Sequence, residues 1–424
     1  MTHTSNSHRG RRPFLAAVGA AGLTSLAGCV TDVDDGDDGN GNGNGEEFDT
    51  VRWGALEPLS GPFSDLGEEQ LQGVELAVEQ INESDEYDFE IELESYDTQS
   101  ESSDAQRAAS EAVEDFGAQY LVGCISSSVA LSINDFAQNN EVIYAPGAAD
   151  VSITGSNCNE YVFRFETSTA PIAEVMTQWT VEELGDQIFY HIADYAYGES
   201  VLEEVDSRMA ELSDSYEEVD VTRSEFGSTD FETFISQIAS AADEADAAVI
   251  GMTGADLAIF LQQAGRQGLQ EEIPIVTTTA SFVPVRAPAG EDAYGVYSGV
   301  RYVPDVDTGD NQAFVEAYRE AYDDDPDNFS RVGYESVRMI SRGIQAAGTR
   351  DPTELKDFLP EHELETIYGT TYFRDCDHQS LNPVWMGELV EPDDDDQEMA
   401  DIELLAELSG EEAIQDCDET GCEL

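Results

Sequence analysis

Positive charge is what this chain of 424 residues has least of. Lys and Arg number 18 against 91 Asp and Glu, for a formal charge of −73, and Lys356 is the only lysine. A field of that sign repels nucleic acid and anionic lipid heads, so neither is an expected partner. The acid excess runs through almost every segment. It reads as the surface of a halophile's protein, kept hydrated in molar salt, where the Debye length is about 3 Å. Against that background, acidic runs such as Asp323-Asp324-Asp325 and 393–396 carry little weight as metal or catalytic sites.

Catalytic signatures are also missing. There is no GxSxG, HExxH, P-loop, GxGxxG or CxxC. These absences argue against an enzyme and against a bound cofactor or metal. Histidine is scarce: His3 and His8 precede the twin arginines described below, leaving His191, His362 and His378 as possible bases. His191 sits in an apolar run and reads as a packed core residue. His378, in Asp375-Cys376-Asp377-His378, reads as a hydrogen-bonding ring, with metal ligation as the alternative. Cysteines number 6. Cys417 and Cys422 are close enough for a small terminal loop. Cys158 and Cys376 pair only if the fold brings them together. Disulfides or buried thiols are expected ahead of a zinc site.

Long apolar runs are missing too, except near the start. Arg11-Arg12 precede an apolar stretch of about 17 residues from Phe14, short for a membrane span. Twin arginines before such a stretch are the signal of the twin-arginine export pathway, which moves folded cargo. Leu26-Ala27-Gly28-Cys29 resembles a lipobox, with Cys29 as the lipidated new N-terminus; the alternative is an uncut anchor. Either way the chain is expected at the outer face of the cell membrane. With Cys29 lipidated, an odd number of cysteines remains, so at least one thiol stays unpaired within a monomer.

The organisation follows from composition and periodicity. Residues 1–29 form the leader. Residues 30–47, mostly Asp, Gly and Asn, read as a flexible acidic stalk. From there strands and helices alternate. Strand candidates are 51–56, 89–93, 120–122 and 142–145, then 188–192, 248–252 and 275–277. Helical spacing relates Leu71, Val74, Val78 and Ile81, and later Val201, Val205, Met209 and Leu212. Two such runs predict an α/β protein with two doubly wound parallel-sheet lobes. Helices at 311–322 and 332–347 lack partner strands and are expected to complete the first lobe. The lobes are therefore expected to be discontinuous: 48–167 with 300–366, and 168–299 with 367–391. Residues 392–424 read as an acidic tail, in which Ile402, Leu404, Leu405 and Leu408 could dock as a short helix.

In open α/β sheets, ligands bind at the carboxyl ends of strands, where helix N-termini present free N–H groups. Three junctions fit. Gly123-Cys124-Ile125-Ser126-Ser127-Ser128 supplies hydroxyls and main-chain donors suited to a carboxylate. Tyr144-Ala145-Pro146-Gly147-Ala148-Ala149-Asp150 has small residues that let a ligand approach the backbone. Asp194-Tyr195-Ala196-Tyr197-Gly198 opens a helix in the second half. Ordinary capping and turns remain the plainer reading of each motif alone.

Taken in order, these segments resemble the branched-chain amino-acid (leucine/isoleucine/valine) binding proteins of ABC transporters. Pro58-Leu59-Ser60-Gly61-Pro62 with Gly67 is similar to that family's opening loop. So are 77–82, Tyr96-Asp97-Thr98, the serine loop, 145–148, Phe163-Arg164, Tyr197-Gly198 and, near the end, Tyr368-Gly369, Phe373 and 377–379. The resemblance implies a type I binding-protein fold, with two lobes joined by three crossings that close on a solute. It implies that Ser127 and the Ala148 or Ala149 backbone hold a carboxylate, and that Tyr197 joins on closure. Ser126, Ser128, Asp150 and Thr253 complete the expected ligand-binding set with Leu66 and Thr279. Leu66 stands where the family often has an aromatic. Ala149 stands where amino-acid binders often have threonine. Thr279 falls near their usual partner for the ligand ammonium. Either Asp150 or Asp256 replaces that acid, or the ligand has no ammonium; the family also contains binders of amides, urea and short acids. The expected partners are a small solute, ABC permease subunits and the membrane, through the lipid on Cys29. A ligand sensor and a secreted enzyme are the competing readings.

Overall fold

A computed structural model describes residues 49–393 and 399–424. The twin arginines, Cys29, the stalk and most of the acidic run at 393–396 lie outside the described residues. Among the described residues no helix is long and apolar enough to cross a membrane.

The first lobe begins with β1 (Asp49–Glu57), α1 (Ser64–Glu83), β2 (Phe89–Asp97), α2 (Ser102–Ser110), β3 (Tyr120–Gly123), α3 (Ser127–Asn140) and β4 (Ile143–Pro146). The strands form a parallel sheet in the order β2-β1-β3-β4. Edge position explains β2: Phe89 and Ile91 face the core while Glu90 and Glu92 face water. Strands β3 and β4 are buried at every residue, as a sheet covered on both faces requires, and β4, last in the order, is bridged on its outer side by Val162. The register aligns the strand ends, with Glu57 opposite Asp97 and Gly123 opposite Pro146. These aligned ends form one edge, from which the serine loop and the Gly147–Asp150 loop emerge.

The second lobe holds α4 (Thr169–Glu183), β5 (Gln187–Ala193), α5 (Ala196–Leu212), β6 (Glu217–Ser224), α6 (Glu232–Ala241), β7 (Ala247–Gly251), α7 (Gly254–Gln267), β8 (Ile275–Thr277), α8 (Val283–Ala289) and β9 (Tyr297–Val300). Side chains alternate across its sheet. Ile188, Tyr190 and Val249 join one apolar cluster, with α4 and α5. Phe189, Ala248 and Ile250 join the other, with α6 and α7.

The chain then returns with α9 (Asn311–Tyr322), α10 (Asn328–Ala347), α11 (Pro352–Leu355) and the small hairpin β10 (Leu364–Thr366) and β11 (Gly369–Thr371). Helix α10 lies against α1 at two glycines. A Cβ on Gly73 would stand 1.9 Å from Ser330 O, and one on Gly333 would stand 2.2 Å from Gln70 O. No side chain fits between the two backbones there.

The last segment corrects the sequence reading. After β12 (Val384–Val390), residues 401–408 form strand β13 (Asp401–Leu408), not a docked helix, followed by the short α12 (Gly410–Ala413). The second sheet therefore has seven strands, in the order β13-β12-β9-β8-β7-β5-β6. β12 and β13 are antiparallel additions to a parallel sheet. The physical reason is main-chain pairing: β12 bonds to β9 on one side and needs a partner on the other. Leu404 and Leu405 stay exposed at that edge.

Cysteine pairing also departs from expectation. Cys417 and Cys422 do not close a terminal loop. Cys422 is bonded to Cys158, and Cys417 to Cys376. Beyond α12 the chain runs beside the last interlobe crossing, where Arg374 Nη1 donates to Gln415 O at 2.7 Å. It then reaches the first lobe, where Thr420 O lies beside Gly155. This run carries Cys417 past Cys376 and Cys422 to Cys158. Cys124 is a free, buried thiol.

Candidate functional site

The carboxyl ends of both parallel sheets face one seam between the lobes. On the first-lobe side, Ser126 precedes α3 and Ser127 opens it. Ser127 Oγ accepts the Asp150 N–H at 3.3 Å, tying the serine loop to the next one. The Gly147 N–H donates to Gly123 O at 2.8 Å. The carbonyls of the second loop turn inward: Ala148 O and Asp150 O accept Arg164 Nη1 at 3.2 and 2.6 Å. Ala149 O accepts the Thr169 N–H at 2.7 Å. That orientation leaves the N–H groups of Ala148 and Ala149 without a protein acceptor among the described residues. With the Ser127 hydroxyl hydrogen and the first-turn N–H groups of α3, they form a donor cradle for an anion.

Beneath this loop lies Gln70, a residue that sequence reasoning missed. A Cβ on Gly147 would stand 2.3 Å from Gln70 Nε2, so the glycine is what lets the amide pack there. Neither end of that amide has a protein partner among the described residues. Neighbouring Glu57 is fully buried, and burial raises its carboxyl well above the usual range.

On the second-lobe side, Tyr197 stands in the first turn of α5. Its hydroxyl pairs with Thr278 Oγ1 at 2.6 Å and accepts Arg301 Nη2 at 3.3 Å. Thr279 Oγ1 donates to Met252 O at 3.0 Å, so its hydroxyl is tied to the main chain. Thr253 precedes α7, and its buried hydroxyl has no partner among the described residues. Asp256 accepts the Gly227 N–H at 2.8 Å, and burial pushes its pKa up to about 6. The Asp150 carboxylate accepts from Ser152 N at 2.7 Å.

The roof of the seam is aromatic. Leu66 is buried, as are Phe63 and Ile125 beside it. Phe63 meets Phe226 at 5.0 Å and Tyr195 at 6.4 Å between ring centroids. Gly254, at φ +60°, lets α7 begin against this roof: its Cβ would stand 3.0 Å from Phe63 Cδ1 and 3.5 Å from Leu66 Cδ1. Polar contacts cross the seam as well. Ser128 Oγ accepts the Ala196 N–H at 3.4 Å, and Ser200 Oγ accepts the Val151 N–H at 3.2 Å. The structure therefore brings Leu66, Ser126, Ser127, Ser128, Ala148, Ala149, Asp150, Tyr197, Thr253 and Thr279 to the strand ends that face this seam.

The floor is ionic, and the sequence did not signal it. Glu166, fully buried, accepts Arg301 Nη1 at 2.5 Å and Arg331 Nη2 at 2.6 Å. Arg164 beside it donates to Gln379 Oε1 at 2.6 Å and to Thr154 Oγ1. Burial lowers the Arg164 pKa to about 10. The one available signal was scarcity. In a chain with so few cations, arginines within apolar runs stand out.

His191 and His378 serve packing. His191 Nδ1 bonds Thr222 Oγ1 at 2.8 Å inside a cage that includes Phe234 and Phe260. His378 stacks on Phe163 at 4.1 Å, and its Nδ1 bonds Val162 O at 3.2 Å. Burial lowers the pKa of each to about 4.

Two α/β lobes with a donor cradle on one, a tyrosine on the other and an apolar roof are the architecture of a two-lobed binding protein. A sequence model of the periplasmic binding protein family matches residues 50–396. The chain belongs to that family, and its fold is the type I binding-protein fold. The leucine-, isoleucine-, valine-, threonine- and alanine-binding protein of Pseudomonas aeruginosa is 23% identical over 330 residues, covering 77% of this chain and 86% of that protein. Leu/Ile/Val-binding protein homolog 4 of Brucella abortus is 24% identical over 392 residues, covering 89% of each. Among solved structures, an amino-acid ABC transporter substrate-binding protein from Pseudomonas fluorescens superposes with a TM-score of 0.79 at 24% identity, covering 89% of this chain and 99% of that one. A solute-binding protein from R. palustris in complex with benzoate gives a TM-score of 0.77 at 22% identity, covering 88% and 100%.

Proposed function

We propose that this protein captures a small carboxylate-bearing solute between its lobes and hands it to an ABC permease, without chemical change to the solute. One observation carries the reading: the Ala148 and Ala149 N–H groups, the Ser127 hydroxyl and Tyr197 lie on the two walls of one seam. The names of the curated relatives make branched-chain amino acids the first candidates, with amides and short carboxylates next.

Location belongs to the same reading. Twin-arginine export suits a chain of charge −73, which folds where cytoplasmic salt screens it. Lipid on Cys29 and the acidic stalk then hold the binder near its permease and raise its effective concentration there.

A thermal-shift screen in molar KCl tests this across amino acids, amides, urea and short carboxylates. A solute at 100-fold excess over its dissociation constant stabilises by about 2.7 kcal/mol. Silence across the whole panel refutes the reading.

A further inference from the structure

Resting on the reading of the seam as a solute site, we infer that the solute is a small carboxylic acid without an ammonium group, whose second end presents an acceptor oxygen to Arg301 and the Tyr197 hydroxyl.

The argument is one of charge and partners. A zwitterionic amino acid needs an acceptor for its ammonium in a cleft that excludes water. One carboxyl near the first-lobe loop, Glu57, has no protein partner among the described residues, but it is fully buried beside Gly123, Cys124 and Tyr144, where burial favours its neutral form. Three other carboxylates near the seam already have donors. Glu166 is shared by Arg301 and Arg331. Asp150 is held by the N–H and hydroxyl of Ser152. Asp256 is held by the Gly227 N–H on the neighbouring loop. Asp377, nearer the last crossing, is paired with Arg374.

The group beside Tyr197 is a cation. Arg301 follows β9 directly, at the carboxyl end of that strand, and is 1% exposed. Its Nη1 goes to Glu166 and its Nη2 to Tyr197 Oη, while its Nε has no partner among the described residues. Two guanidiniums share one carboxylate, so the Glu166 group carries net positive charge. An ammonium placed there meets repulsion. A keto, hydroxyl or carboxylate oxygen meets donors: Arg301, Tyr197 and the free Thr253 hydroxyl. Thr279, bonded to Met252 O, offers an ammonium no carboxylate. The roof of Phe63, Leu66, Ile125 and Phe226 suits an apolar body, branched or aromatic.

Matched pairs test this at a single atom. Leucine and phenylalanine are compared with their 2-oxo and 2-hydroxy acids by calorimetric titration of the full protein in molar KCl. The expected result is at least a 100-fold preference for an oxo or hydroxy acid over its amino acid. Arg301→Lys keeps a charge for Glu166 but removes the fork, and is expected to erase most of that preference. Tyr197→Phe, which leaves the Glu166 pairs intact, is expected to weaken the oxo acid at least tenfold while changing the affinity for the amino acid much less. Tighter or equal binding of an amino acid by the wild type overturns this inference and leaves the solute-capture reading standing. Silence toward every solute in the broad screen overturns both.

Discussion

Replacing Glu166 by Gln keeps the size and much of the hydrogen bonding at the floor of the seam but removes the carboxylate that Arg301 and Arg331 share. Arg301 and Arg331, with side chains 2% and 0% exposed, would then sit near each other without a counter-charge. Breaking a buried pair from one side costs about 3–5 kcal/mol, because the remaining charge is desolvated and unpaired. Here one carboxylate serves two arginines, so the upper half of that range is expected. Against a total stability of about 5–15 kcal/mol, the loss is large. The assay is urea unfolding in 1 M and 3 M KCl, with Glu92→Gln as control. Glu92 pairs Arg52 at the surface, where both side chains are about half exposed. Such a pair contributes about 0.2–1 kcal/mol and is screened by salt. The Glu166→Gln loss should be nearly the same at both salt concentrations. A loss under about 1 kcal/mol, or one that vanishes at high salt, would refute the assignment of the floor as a buried ion cluster.

Acid sensitivity follows from the two buried histidines. Their folded pKa values of about 4 lie below the ordinary histidine value of about 6.5, so the unfolded chain takes up protons first as pH falls. Stability is therefore whole above pH 6.5 and declines toward pH 4, by up to about 3 kcal/mol per ring. Melting curves that are flat over that window would contradict the burial argument, and His191→Gln should flatten them in part. The disulfide Cys158–Cys422 spans 264 residues of sequence. Cys158→Ser with Cys422→Ser should lower stability by about 2–5 kcal/mol and expose residues beyond 417 to protease; an unchanged digestion pattern would show that the terminal run is held without it. Gly147→Ala drives a Cβ into Gln70, so binding of the best solute should weaken at least tenfold by titration. Dialysis from 2 M to 0.1 M KCl lengthens the Debye length to about 10 Å and should unfold the chain by circular dichroism.

Much of the scaffold was legible because it rests on local rules. Edge strand β2 alternates because one face meets water, and β3 and β4 are continuously apolar because neither of their faces does. Helices α9 and α10 showed their spacing without partner strands, and both pack in the first lobe. The serine loop was visible as a strand end running into a helix start. What escaped depends on groups distant in sequence. Strand β13 exists because β12 has an open edge, and its own side chains stay half exposed. Cysteine pairing depends on the route of the terminal run beside the last crossing. Glu166, Arg301 and Arg331 are 135 and 165 positions apart in sequence, so no motif links them. Sequence placed Leu66 at the wall but did not single out Phe63, which makes the aromatic contacts across the seam. It also marked Tyr197 without showing that Thr278 and Arg301 already hold its hydroxyl.

The central claim is that a carboxylate sits in the cradle of Ser127, Ala148 and Ala149. Calorimetric titration of the strongest solute from the screen, into wild type and Ser127→Ala, tests it most directly. A hydrogen bond to a charged group contributes about 1.5–3 kcal/mol, so the variant should bind roughly 10- to 100-fold more weakly. Stoichiometry should stay at one per chain, and the unliganded melting midpoint should barely move. Equal affinity in the two proteins would place the solute elsewhere and contradict the account.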